Sequence, residues 1–139
     1  MNLKNLSKNL VKFLKLSNQF LIVASLFLSA SIFPAVQIIK PSENSYQDIQ
    51  EALILAEPGD IIRLSAGVFS LEDSLSLDVE GVQIEGEGMS QTILDFSNQL
   101  SGAQGLSVTS NNVTLQDFAI QNAKGDAIKV KGVTNIKSV

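Results

Sequence analysis

The sequence predicts an all-β fold, a parallel β-helix preceded by one short helix, and three observations carry that expectation. Beyond residue 59 apolar residues alternate with polar ones in runs of three to five, the period of a half-buried strand. Asn-Gly, Asp-Gly and Gly-Gly are all absent, so the usual signals of a hairpin reversal are thin. The apolar pairs also recur. Leu106 and Val108 return as Ile128 and Val130, 22 residues on, and Asn112-Val113 returns as Asn135-Ile136, 23 residues on. Leu75 and Leu77 match Leu106 and Val108, and Val82 and Ile84 match Val113 and Leu115, both 31 residues apart. The longer interval takes up its extra length in the polar stretch 97–105. Repetition at roughly 20 to 50 residues with loop insertions is the mark of a solenoid. Val113 to Leu115 and Phe118 to Ile120 change parity across Gln116 and Asp117, which suits a sharp corner, so each coil is expected to turn three corners.

Taken in order, residues 1–31 read as an export signal. Lys4, Lys8, Lys12 and Lys15 lead into an apolar run from Phe20 to Leu28, then Ser29-Ala30-Ser31. A basic start, a short apolar run and a small-x-small site make that pattern. The run is short for a membrane span, which needs about 20 residues, and cleavage is expected before Ile32. Residues 32–44 are expected as a linker. Ser45 to Asp48 reads as a capping box with Ser45 as N-cap and Asp48 at N3. Ile49, Ala52, Leu53 and Ala56 follow as one apolar helix stripe, so the capping helix and its turn occupy 45–58. Pro58-Gly59 fits a type II turn. Residues 59–139 are assigned to the first coils. Their inward column is expected to be Ile62, Leu64, Leu75, Leu77, Val82, Ile84, Leu106, Val108, Val113, Leu115, Ile128 and Val130. The register of Ile93-Leu94-Asp95-Phe96 stays open, because both faces carry an apolar residue.

A family resemblance rests on three stretches. IQEALILAEPGDIIRLSAGVF at 49–69 resembles the start of right-handed parallel β-helix proteins of the pectate-lyase-like superfamily, with a short helix, a PGD turn, an I-x-L strand and an AG-x-F turn. GVQIEGEG at 81–88 with TILDF at 92–96 resembles the next coil, and NNVTLQDFAIQNAKGDAIKV at 111–130 the one after. The resemblance covers roughly 45–136 and is specific for fold but weak for activity. Ser65 departs from it, standing where proline is frequent. The resemblance implies a right-handed helix whose open N-terminal end the 46–56 helix covers, with many more coils to follow. The sequence stops within an apparent strand, 135–139. The expectation is therefore a solenoid truncated after two to three coils, an N-terminal part of a longer protein. Its uncapped last coil is expected to self-associate.

Composition narrows the function. Hydrophobic residues make up 45% and charged residues 17%, so the chain is not of the disordered class. Cys and His are both 0, which excludes disulfides, thiolate and imidazole metal sites and a Ser-His-Asp triad. After residue 31, 14 acidic residues face 6 basic ones. Such a balance argues against a nucleic acid partner.

The candidate groups each have a bland alternative. Glu85, Glu87 and Asp95 could bind calcium or act as acid and base, or be solvated charges of turns and outer faces. Asp117 and Asp126 fall at corners, where Asp makes turn hydrogen bonds. Lys124, Lys129 and Lys131 could meet an acidic sugar or simply solubilise an outward face. Asn111 and Asn112 resemble the asparagine ladders of coil corners. Asn112-Val113-Thr114 and Asn5-Leu6-Ser7 match the glycosylation pattern. Tyr46, Phe69, Phe96 and Phe118 are the aromatic residues between Ile38 and Val139, and they offer no visible platform for sugar stacking. No catalytic residue is assigned. The family resemblance admits calcium as cofactor but identifies no site here. The leading functional expectation is an exported, secreted or periplasmic, polysaccharide-binding or polysaccharide-processing protein of lyase, epimerase or hydrolase class, with its active site outside this chain. The alternative is a non-enzymatic surface or periplasmic scaffold or adhesin-like protein. A periplasmic metal-delivery accessory role is disfavoured by the missing His and Cys.

Overall fold

The computed structural model describes residues 33–139, and the expected export signal at 1–31 lies outside them. Eleven strands and one helix follow in the order β1 (Val36–Ile39), α1 (Ser45–Leu55), β2 (Ile61–Leu64), β3 (Gly67–Ser70), β4 (Leu75–Leu77), β5 (Gln83–Glu85), β6 (Thr92–Asp95), β7 (Leu106–Val108), β8 (Thr114–Gln116), β9 (Ala119–Gln121), β10 (Ile128–Val130) and β11 (Lys137–Ser138). They form three sheets with every pairing parallel. Sheet A runs β1-β2-β5-β8-β11, sheet B runs β3-β6-β9 and sheet C runs β4-β7-β10. The chain is thus all-β in character, and each pass adds one strand to each sheet.

The sequence intervals are the strand registers. Leu75 pairs with Leu106 and Leu77 with Val108, Ile84 with Leu115, and Leu106 with Ile128. Parallel pairing in register stacks like on like, so the inward residue of one pass lies on the inward residue of the next. Ile62, Leu64, Leu75, Leu77, Val82, Ile84, Leu106, Val108, Val113 and Leu115 are all buried. Each full burial of this kind contributes about 1.5–3 kcal/mol. The open register around residue 93 resolves with Thr92, Leu94 and Phe96 inward, stacked through Leu94 on Phe69. Val130 departs from the expected core, being 46% exposed, and Ile128 is only half-buried. Their strand β10 forms the outer edge of sheet C, so no further strand among the described residues covers them.

Two departures concern the region before β2. The segment expected as a linker contains β1, which pairs along its whole length with β2. The capping box does not form. Asn44 is the N-cap and makes no side-chain cap bond. Ser45 is fully buried, and its hydroxyl donates to the Ser42 carbonyl at 2.7 Å and accepts the Ser42 N–H at 3.0 Å. Ser42 in turn donates from its Oγ to Asp48 Oδ2 at 2.6 Å. The helix starts one residue early because burial turns the Ser45 hydroxyl back toward the preceding loop.

The stripe itself is as expected: Ile49, Ala52 and Leu53 are fully buried, and Ala56 packs against the same core just past the helix. α1 lies against β3 and β4, the first strands of sheets B and C. There Gln50 acts as a substitute strand. Its Nε2 donates to the Ser76 carbonyl at 3.2 Å, and its Oε1 accepts the Ser76 N–H at 2.9 Å. The free edge of β4 is thereby satisfied, which an edge strand otherwise leaves open to pairing.

The corners that enter sheet A follow one rule. Two residues before each of β2, β5, β8 and β11 stand Gly59, Gly81, Asn112 and Asn135, with φ of +96°, +74°, +58° and +59°. That left-handed conformation is tolerated by glycine and, among other residues, best by asparagine. The long bend at 96–105 is held by Gln99, which is 3% exposed. Its amide donates to Gln104 O at 2.9 Å and to Ser74 Oγ at 3.1 Å, and accepts the Lys124 N–H at 3.2 Å.

Candidate functional site

The outer face of sheet A carries a row of polar side chains across four adjacent strands. Because inward and outward positions alternate, the registers Arg63↔Glu85↔Gln116 and Gln83↔Thr114↔Lys137 place these six residues outward on adjacent strands. Arg63 forms an ion pair with Glu85 through Nε and Oε1. The second carboxylate oxygen of Glu85 accepts from Gln83 Nε2 at 2.7 Å and from Gln116 Nε2 at 3.3 Å. Both oxygens are therefore engaged. Such a carboxylate is a cross-strand tie rather than a free base or a metal ligand. The arrangement presents guanidinium, amide, hydroxyl and ammonium groups in rows, fixed by the strand spacing of about 4.8 Å.

The structure does not bring Glu85, Glu87 and Asp95 together as a calcium or acid–base set. Among the described residues no group of three His, Cys, Asp or Glu side chains is arranged to hold a metal ion. Glu87 lies at the corner, where its N–H donates to Thr92 Oγ1 at 3.0 Å. Asp95 faces outward on sheet B. The Asn122 amide, donating to its Oδ1 at 2.8 Å, holds its carboxyl below the usual aspartate range, with help from the Ser97 N–H at 2.9 Å. Burial, second in size to the Asn122 bond, acts in the opposite direction.

Asp117 occupies a corner with φ of +59°, and its carbonyl accepts the Gly88 N–H at 2.8 Å. A Cβ added to Gly86 would fall on that same carbonyl, so glycine is required for the two passes to approach. Asp126 serves the bend before β10, where its carbonyl accepts the Gly105 N–H at 2.9 Å. Lys129 is exposed on the outer face of sheet C in register with Ser107 and Ser76. Lys131 is exposed just beyond it, and Lys124 is exposed in the preceding bend. Asn111 and Asn112 do build the beginning of a ladder. Asn135 Nδ2 donates to Asn112 Oδ1 at 3.0 Å, Asn112 Nδ2 donates to Glu80 Oε1 at 2.7 Å, and Asn111 Oδ1 accepts the Thr134 N–H at 2.8 Å.

Sequence reasoning found Glu85 but missed its partners Arg63, Gln83 and Gln116. The signal was present in the intervals of 22 and 31 residues, which align these positions once the inward residues are matched. Phe69 and Phe96 are fully buried, and Tyr46 and Phe118 are half-buried. No helix of the described residues is long and apolar enough to cross a membrane. Comparison with protein-family models, curated proteins and solved structures found no match for this chain.

Proposed function

We propose that residues 33–139 are the capped first coils of a right-handed parallel β-helix of the pectate-lyase-like kind, belonging to an exported protein that binds or processes polysaccharide. The supporting observation is the strand order, with one strand per sheet on every pass and all pairings parallel. Parallel crossovers are right-handed in about 98% of cases, which supplies the hand. Export rests on the basic and apolar pattern of residues 1–31. Within this proposal the described coils bind and do not catalyse. Sheet A offers hydrogen-bonding groups of both senses to a hydroxyl-rich chain, while its one carboxylate is already tied to Arg63, Gln83 and Gln116. Catalytic groups belong to coils outside the described residues. That same tie supports the alternative, a non-enzymatic scaffold, since it joins β2, β5 and β8 across the face.

Affinity electrophoresis in gels containing polygalacturonate or a neutral galactan separates the two. Polysaccharide binding predicts retardation in at least one gel, reduced several-fold by Gln83→Ala with Gln116→Ala while the circular dichroism spectrum is unchanged. Equal mobility in all gels for the folded protein would leave the scaffold reading. N-terminal sequencing of exported protein should begin near Ile32, and a mature chain beginning at Met1 would refute cleavage.

A further inference from the structure

The outer face of sheet B carries two unlike rows. On β3, β6 and β9 the outward positions are Val68↔Ile93↔Ala119 and, two residues further along each strand, Ser70↔Asp95↔Gln121. Both rows run along the stack, with neighbouring strands about 4.8 Å apart. Val68 is 53% exposed, and Ile93 and Ala119 are half-buried. Single exposed apolar residues are normal on a protein surface, but three in register form a continuous strip. The corresponding strands elsewhere are polar outside. In sheet A, β5 and β8 point Gln83, Glu85, Thr114 and Gln116 outward. In sheet C, β4, β7 and β10 point Ser76, Ser107 and Lys129 outward. The polar row of sheet B is held in place: Asn98 Nδ2 donates to Ser70 Oγ at 2.9 Å, and Asn122 Nδ2 donates to Asp95 Oδ1 at 2.8 Å. Asp95 is the one charged residue within β3, β6 and β9.

We infer that the outer face of sheet B binds a neutral polysaccharide lying along the stack, with sugar C–H faces on Val68, Ile93 and Ala119 and sugar hydroxyls on Ser70, Asp95 and Gln121. The inference rests on the polysaccharide reading above and adds to it a second face and a substrate class. A sugar ring is apolar on its faces and polar around its edge. It is matched by an apolar strip beside a few fixed polar groups, the composition of small-molecule sites in general. Ser70 and Gln121 offer both donors and acceptors, and the Asp95 carboxylate accepts from hydroxyls. Because Asn98 and Asn122 already hold Ser70 and Asp95, less side-chain freedom is lost on binding. Charge selects the class. An ionised Asp95 with no base on the same three strands repels uronate or sulfate groups, whereas the outer face of sheet A carries Arg63 and Lys137. The face looks sideways from the stack, so further passes would lengthen it rather than cover it.

Amide chemical shifts of the nitrogen-15-labelled full chain, titrated with sugars, locate the face directly. The probes are neutral oligosaccharides prepared from galactan, xylan and cellulose, with oligogalacturonate as the acidic comparison. At least one neutral probe should give saturable shifts at the amides of Val68, Ile93, Asp95, Ala119 and Gln121. Val68→Ser with Ile93→Ser should weaken that binding several-fold while the rest of the spectrum is unchanged. Asp95→Asn, which keeps the shape of the side chain, should also weaken it. Saturable shifts confined to β2, β5 and β8 would overturn the inference and leave the polysaccharide reading standing. Tighter binding of oligogalacturonate than of every neutral probe on sheet B would overturn the substrate class. No shift with any of the four probes would overturn the inference and the polysaccharide reading together.

Discussion

Among the described residues the first and last passes are made from the same short parallel strands, and α1 covers only the first. At the first pass α1 lays Ile49, Ala52 and Leu53 over the core, all fully buried, and Gln50 completes the main-chain pairing of β4. At the last pass Ile128 and Ile136 are half-buried and Val130 is 46% exposed, although β10 keeps its register with β7. In a stacked array a strand gains stability from neighbours on both sides. The difference teaches that in-register pairing alone does not bury a strand here; a second covering layer does.

Placing the same charge at each end gives the largest expected contrast. Leu53→Asp buries an unpaired carboxylate under the cap and should cost about 2–4 kcal/mol, whereas Val130→Asp should cost no more than about 0.5 kcal/mol. Equal denaturant midpoints for the two variants would break the comparison. Within the cap, Gln50→Ala removes both bonds to Ser76 and should cost about 1 kcal/mol. Glu51→Ala, on the exposed face, should stay within about 0.5 kcal/mol. These shifts should appear in urea unfolding midpoints with unchanged m-values.

A smaller change of opposite sign is expected between the ends. Ser110 is 7% exposed and its hydroxyl has no partner among the described residues. The 31-residue register aligns it with Val79 of the previous pass. Ser110→Val should therefore stabilise by about 0.5–1 kcal/mol, since a buried hydroxyl without a bond is costly. A lower midpoint for Ser110→Val would point to a bond that the hydroxyl makes in solution.

The smallest expected effect is in pH. The carboxyl of Asp95 is held below its ordinary value near 3.8 by the bonds from Asn122 and Ser97. The unfolded chain binds that proton first as the pH falls, so the contribution is full above about pH 4 and is lost in more acid solution. Asp95→Asn should flatten the acid limb of the stability profile slightly, and an unaltered limb would remove Asp95 from that account.

Much of the fold is legible in the sequence because parallel, in-register stacking copies one pass onto the next. Leu75, Leu106 and Ile128 announce their own pairing by spacing. β1 was hidden because Val36-Gln37-Ile38-Ile39 is too short to show a period and its outward residues are also apolar. β3 and β6 were hidden for the second reason, since Val68 is 53% exposed and Ile93 shares its outward position. Gln99 was illegible because a buried glutamine is recognised only by its partners, which come from Ser74, Gln104 and Lys124. At the candidate site, Glu85 stood out by charge. Its tie to Arg63 spans 22 residues and to Gln116 spans 31, so it emerges only after the registers are matched.

Amide hydrogen exchange of the full chain, at dilutions where no association occurs, tests most directly the claim that burial follows the covering layer. The amides of Leu64, Ile84 and Leu94 should exchange slowest, near the global unfolding limit. Those of Lys131, Lys137 and Val139 should exchange orders of magnitude faster, although each donates to the previous pass at 3.0–3.1 Å. Equal protection at both ends, or slower exchange in the last pass than under α1, would contradict it.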